Sequence, residues 1–247
     1  MSTSLRDTAA EKLRNLLLMG EIEPDTHLQE AHVAELLGMS RTPVRSALAA
    51  LANEGLLVPG PWRGYKVRSF TLDEIANAYS VRATLEGMVC RVLAETGLTD
   101  SALKNLKSIL ESGDKLLAVS KARKQDIKDW MHVNDLFHSA LAGECGNDFL
   151  ARMIELTQRI PLVHRGFVGQ YQFNDSFLAH IRQGQSEHYR MLLAIEQRQS
   201  SRAEALMREH IVGAAETWLA SVAVARKTND VGEPLDVRKI ADGKFVS

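Results

Sequence analysis

Residues 33 to 48 read Val33-Ala34-Glu35-Leu36-Leu37-Gly38-Met39-Ser40-Arg41-Thr42-Pro43-Val44-Arg45-Ser46-Ala47-Leu48, and the phase of these side chains decides the fold of the first seventy residues. Val33, Leu36 and Leu37 give an apolar side to a short helix over about Glu30 to Leu37, and Gly38 supplies a sharp turn. Ser40 stands where a helix needs its N-cap, and Pro43 is tolerated in the first turn of a third helix, Arg41 to Asn53. Val44, Ala47, Leu48 and Leu51 follow the i, i+3, i+4, i+7 rule and face a core. Arg41 and Arg45, one turn apart, leave on another face. A short helix, a tight turn and a helix whose first residues are exposed and basic form the arrangement that lays a recognition helix in the major groove.

The flanking sequence completes a small domain. Residues 5 to 19 read as a helix with Leu13, Leu16 and Leu17 on one side, ended by Gly20. After Gly55, the runs Leu56-Leu57-Val58 and Tyr65-Lys66-Val67-Arg68 flank a turn over 59 to 64. They read as a β-hairpin, the wing of a winged helix, with Arg63 and Gly64 near its tip. The whole chain carries 30 Lys+Arg against 31 Asp+Glu, a net charge of -1, which by itself offers no basic surface. The local count differs. Residues 38 to 68 hold five basic side chains (Arg41, Arg45, Arg63, Lys66, Arg68) and one acidic (Glu54), a balance of +4, and the acids of residues 1 to 37 offset it. Helix contacts to base edges and wing contacts to the minor groove or backbone would then come from one basic face.

The rest of the chain is of another kind. Its 247 residues, 45% hydrophobic and 25% charged, suit a globular protein of two domains rather than a disordered one. Glycine and proline crowd residues 55 to 64, then neither occurs until Gly87, which marks the boundary: 1–70 winged helix-turn-helix, 71–227 all-α domain, 228–247 C-terminal tail. Beyond residue 70, six helical patterns follow at Leu72–Glu95, Ser101 to about Ser120, Gln125–Ala142, Phe149 to about Val168, Phe177–Gln197 and Arg202–Ala225. Short connections predict an antiparallel bundle, so the expected fold class is mainly α with one small β-hairpin. Two cysteines, Cys90 and Cys145, exclude a disulfide scaffold and fit a reducing cytoplasm. No apolar run reaches the roughly 18 to 20 residues of a membrane span, and Met1 to Arg14 lacks the pattern of a signal peptide; the expectation is a cytoplasmic protein with no membrane partner.

Three of the eight histidines are placed to meet. His188 lies 11 residues before Gln199 in the last interhelical turn and His210 11 after it. A helical hairpin brings both to the same level, about 16 Å from the turn at roughly 1.5 Å per residue. His188 shares its face with Ile181, Gly184, Leu192 and Ile195, and His210 with Leu206, Ala214 and Trp218, so both point into the bundle. On the third bundle helix His138 shares a stripe with Met131, Leu141 and Cys145, and Asn134 stands one turn before it. Imidazoles from separate helices plus one oxygen donor suit a divalent transition metal, with zinc or nickel expected.

Two resemblances sharpen these readings. Gly20-x-Ile22-x-Pro24-x-x-x-Leu28, the Val33 to Leu48 stretch and Leu51-x-x-Glu54-Gly55-Leu56 closely resemble the winged-helix domain of the GntR family of bacterial transcription regulators. The resemblance implies that Ser40, Arg41, Thr42, Arg45 and the wing residues Arg63 and Gly64 meet DNA. Lys66 joins them as a wing cation. Asp25 departs from the family's usual glycine, at a position that is expected to touch no DNA-contacting residue. Arg82-x-x-Leu85-Glu86, Asn134-Asp135-Leu136-Phe137-His138, Gly146-Asn147, Glu187-His188 and Glu209-His210 resemble the FCD ligand-binding domain of the FadR subfamily over roughly residues 72 to 226. That resemblance implies a metal held by Asn134, His138, His188 and His210. Asn134 stands where aspartate is commoner, and an uncharged amide oxygen there lowers the expected affinity.

The expected function is that of a homodimeric transcription regulator, most simply a repressor, and not an enzyme. It would bind a pseudo-palindromic double-stranded operator under control of a small carboxylate effector that completes the metal's coordination, with Arg82, Arg159 or Arg165 as counter-charge. Two other readings are a regulator with a metal-free apolar pocket for an acyl ligand and a metal-dependent hydrolase. No His-Glu-x-x-His motif supports the hydrolase, and it leaves the winged helix idle. Arg45→Ala is expected to weaken operator binding and relax specificity, whereas Lys66→Ala should weaken it uniformly and lower the salt slope by about one. Normal operator binding by Arg45→Ala in a salt titration would contradict this docking of the third helix.

Overall fold

The computed structural model describes residues 5–18, 21–60, 64–119, 123–158 and 175–228. The chain divides into two compact units, one holding the residues up to Thr71 and the other beginning at Leu72. In the first, α1 (Leu5–Leu18), α2 (Glu30–Leu37) and α3 (Arg41–Asn53) accompany an antiparallel sheet of β1 (His27–Leu28), β2 (Leu57–Pro59) and β3 (Tyr65–Val67), ordered β1-β3-β2. Gly38 ends α2 at φ 63, in the left-handed region that glycine occupies without penalty. Met39 N–H then reaches back to the Ala34 carbonyl at 2.9 Å, closing the turn that redirects the chain into α3.

All four residues expected on the inner face of α3, Val44, Ala47, Leu48 and Leu51, are buried. Val44, Leu48 and Leu51 share a cluster with Leu13 and Leu17 of α1 and Ala47 packs with Ala9 and Ala10 of the same helix, while Arg14 donates two hydrogen bonds to the Glu54 carboxylate at 2.7 and 2.9 Å, tying α1 to the end of α3. Four details differ from the sequence reading. Leu16 is half-buried and Leu18 is buried instead. Leu36 is 53% exposed, and Ala34 beside Val33 faces the core. Ser40 takes the extended N-cap backbone without a side-chain capping bond, so its exposed hydroxyl is not spent on the helix. The wing gains a third strand, β1, whose His27 and Leu28 pair with Lys66 and Tyr65; two residues are too few to show alternation.

The second unit contains, among the described residues, α4 (Leu72–Thr96), α5 (Asp100–Leu117), α6 (Lys124–Glu144), α7 (Asp148–Thr157), α8 (Asp175–Glu196) and α9 (Ser200–Thr228). Helix α7 ends at Thr157, short of Val168; residues 159–174, with Arg159 and Arg165, lie outside the described residues. Helix α9 runs past Ala225 to Thr228, so the first residue assigned to the tail is helical, and residues 229–247 lie outside the description. Helix α4 is central: it packs most extensively on α9 and also meets α6, α7 and α8. Its buried face is mostly apolar, yet it holds Arg82 and Glu86, 5% and 3% exposed.

Helices α5 and α8 approach closely at Gly113, where an added Cβ would stand 2.7 Å from Gln185 Oε1 and 2.9 Å from Nε2. Gln185 cannot step aside cheaply, because it accepts from Trp130 Nε1 at 3.1 Å and donates to the Leu110 carbonyl and Asp114 at 2.8 and 2.9 Å. Gly113→Ala is therefore expected to destabilise the protein by about 1–3 kcal/mol despite alanine's higher helix propensity. Urea unfolding measures it, and an unchanged midpoint would contradict the packing described.

Candidate nucleic-acid interface and buried histidine cluster

Ser40, Arg41, Thr42 and Arg45 are exposed around the start of α3, opposite its buried apolar side. Arg45 is 71% exposed but engaged: its Nε and Nη2 donate to the two Glu30 oxygens at 2.8 and 2.9 Å. That hydrogen bond, then burial opposing it and the charges of Arg45 and Arg41, holds the Glu30 carboxyl below its ordinary range, so it is ionised at neutral pH. On the wing, Lys66 Nζ lies 2.6 Å from Asp25 Oδ1, and Ser69 Oγ donates to the same oxygen at 3.4 Å. The expectation that Asp25 touches none of the residues expected to meet DNA is thus overturned. Its φ of 66 is in the left-handed region, where the family's usual glycine carries no Cβ penalty.

The wing glycine has a structural part. Gly64 is buried, and a Cβ there would meet His27 Cε1 at 2.5 Å and the Leu28 carbonyl at 2.9 Å, so β1 requires its small size. Arg63 lies outside the described residues.

In the second unit α6, α8 and α9 bring His138, His188 and His210 together, with ring centroids 5.2, 5.4 and 4.6 Å apart pairwise. Their candidate ligand atoms all lie within 4.8 Å of one another. Two of the rings are backed by carboxylates. His138 Nδ1 hydrogen-bonds Glu86 Oε2, whose other oxygen accepts from Arg82 Nε at 2.7 Å. His210 Nδ1 hydrogen-bonds Glu187 Oε2 at 2.8 Å. Carboxylates at Nδ1 hold the proton on that side and turn the Nε2 lone pair toward the cluster, the arrangement that orients metal-ligating histidines.

His188, 1% exposed, is the third corner of the triangle, with its Nε2 3.2 Å from His210 Nε2 and its ring tilted on Phe137 at 4.6 Å. Burial, then the His210 and His138 imidazoles, pushes it well below the ordinary histidine range against the pull of Glu86, so it is neutral. Among the described residues its buried Nδ1 has no hydrogen-bond partner, which marks an imidazole that the described contacts do not satisfy. The donor set fits a divalent transition metal: three imidazoles, of which His188 is held neutral and the other two are oriented by carboxylates.

Asn134 is half-buried on α6, one turn before His138. The structure places Arg82 in the core, one carboxylate removed from His138, with its guanidinium 5.9 Å from the Tyr79 ring centroid. Cys145 shares the His138 stripe without joining the cluster. Both cysteines are buried thiols, and burial pushes the pKa of each up. The sequence reading missed Glu86 and Glu187 as the partners that orient two rings. Glu187 adjoins His188, and both acids fall inside the quoted FCD-like stretches, so the signal lay in their position beside the histidines.

Comparison with known proteins adds the following. The model of the FCD domain matches residues 77–213, and that of bacterial regulatory proteins of the gntR family matches residues 5–67. The chain is 25% identical over 211 residues to the HTH-type transcriptional repressor GlaR of Escherichia coli strain K12, covering 81% of this chain and 89% of that repressor. It is 32% identical over 143 residues to the HTH-type transcriptional regulator McbR of the same organism, covering 58% of this chain and 62% of McbR. Among solved structures, E. coli McbR/YncC superposes with a TM-score of 0.74 at 25% identity, over 90% of this chain and all of that one.

Because His188 is neutral in the fold but takes a proton near pH 6.5 once unfolded, its contribution to stability is full above about pH 6.5 and shrinks as pH falls below it, by up to about 1.4 kcal/mol per unit. Thermal melts in chelator should show the midpoint falling between pH 7.5 and 5.5. A midpoint constant over that range would contradict a buried neutral imidazole.

Proposed function

The chain belongs to the GntR family of bacterial regulatory proteins and carries an FCD domain, and from that premise we propose a metal-dependent, carboxylate-responsive operator switch. It is a DNA-binding transcription regulator, not an enzyme. In the reading advanced here, Ser40, Arg41, Thr42 and Arg45 read the major groove, while Arg63 and Lys66 hold the backbone from the wing. The protein acts as a cytoplasmic homodimer, since two recognition helices related by a twofold match a pseudo-palindromic site with half-sites about 34 Å apart. GlaR is a repressor by its name, and repression is the sign of control proposed for this chain.

The observation that carries the metal and effector half is the convergence of His138, His188 and His210, with Glu86 and Glu187 behind two of them. These imidazoles, with Asn134 as the oxygen donor, would hold a zinc or nickel ion, which supplies Lewis acidity toward an anionic effector oxygen. The chain's own contribution is orientation and charge. Glu86 fixes the His138 ring, Arg82 donates to the other Glu86 oxygen in the core, and the Arg82 guanidinium adds positive potential for a carboxylate. Effector binding would shift the population of DNA-competent arrangements, and DNA would alter effector affinity by the same factor.

Purified protein should carry about one metal ion per chain, and the His188→Ala, His210→Ala double variant should lose it. Zn²⁺ or Ni²⁺ added to chelated wild type should raise the melting temperature, as any ligand of the folded state does. Equal metal content in wild type and double variant would sink the reading, and effector binding insensitive to chelator would favour the metal-free acyl pocket.

A further inference from the structure

Arg45 is expected to recognise a base edge, yet it is held in this structure by an acid of its own domain. A guanidinium presents two forks of parallel N–H donors: the side fork of Nε and Nη2, and the end fork of Nη1 and Nη2. Glu30 fills the side fork with both oxygens, at 2.8 and 2.9 Å. The end fork points away from Glu30, and its spacing matches the O6 and N7 acceptors of guanine. Glu30 is the first residue of α2, and Gly38 turns that helix directly into α3, so the carboxylate is held by the same motif that holds the arginine.

The two kinds of DNA acceptor respond differently to this arrangement. A guanine edge is neutral and can take the end fork while Glu30 keeps the side fork. A phosphate is anionic, and at the same guanidinium it must either displace Glu30 or stand close to its charge. Arg45 without Glu30 would be a mobile cation that binds any phosphate within reach, which is the source of sequence-independent affinity.

We propose that Glu30 is a specificity-determining residue that acts through Arg45: its bidentate clamp holds the guanidinium for base-edge recognition and penalises phosphate contacts, suppressing binding to unrelated DNA. This rests on Arg45 being a base contact, as proposed above. A purely structural role predicts the opposite sign, because loss of a structural residue lowers binding to all DNA, whereas loss of the clamp raises binding to unrelated DNA.

The test uses the full-length protein and two duplexes of equal length: one enriched by the wild type from a randomised library, and one of scrambled sequence. Glu30→Gln keeps the side chain's shape and removes its charge. It is expected to bind the scrambled duplex about three- to tenfold more tightly while changing affinity for the enriched duplex less than about twofold, lowering the specificity ratio. The salt slope on scrambled DNA should steepen by about 0.9, for one further phosphate neutralised. Equal shifts on both duplexes, an unchanged ratio or a raised ratio would overturn the proposal; circular dichroism checks the fold of the variant. Arg45→Ala is the arm that separates the two claims. If it keeps the wild-type ratio, Arg45 is not a base contact and the inference falls with that reading; if it loses the ratio while Glu30→Gln does not, Glu30 alone is misassigned.

Discussion

A carboxylate in the core has to be answered by its neighbours, and in this protein Glu86 is answered by Arg82 on one oxygen and His138 on the other. Leaving any of the three unpartnered would cost several kcal/mol, far more than the pair adds to stability, so the arrangement is better understood as a specification than as a source of stability. Its position gives it reach. Glu86 lies on α4, the helix that meets α6, α7, α8 and α9, and its bond to His138 sets the ring that faces His188 and His210. The Gly113–Gln185–Trp130 contact adds support from α5, since Trp130 stacks at 6.4 Å from the His188 ring.

The DNA-binding unit follows another logic. Its helices are held by an apolar core and a glycine turn, and its charges lie on the surface where solvent screens them. Two of the basic side chains expected to touch DNA have acidic partners, Arg45 with Glu30 and Lys66 with Asp25. The local balance of +4 therefore overstates the charge free to meet phosphates. A surface of this kind would give up general affinity and gain discrimination, which suits a regulator that must find few sites among many.

Legibility in the sequence tracked the length of the pattern. Helix α3 was readable to the residue because its apolar phase repeats over two turns, from Val44 to Leu51, between Pro43 in its first turn and Gly55 just past its end. The facing of His188 and His210 was readable because equal distances from one turn, combined with helical phase, fix both height and direction. Strand β1 was not readable, since two residues carry no period. The Asp25–Lys66 and Arg14–Glu54 pairs were hidden for a different reason: both partners are ordinary surface residues 41 and 40 positions apart in sequence, and only the fold brings them together. Glu86 was visible as part of a resemblance, but its bond to His138 depends on how α4 packs against α6.

The protonation states of the three imidazoles decide whether they can share a metal, and these are directly observable. Nitrogen-15 chemical shifts of the histidine side chains in metal-free protein at pH 7 should show His138 and His210 protonated at Nδ1 and unprotonated at Nε2, with His188 neutral. Adding Zn²⁺ should then move the Nε2 resonances of His138 and His210. Imidazolium at His188, Nε2–H tautomers at His138 and His210, or resonances indifferent to the ion would contradict it.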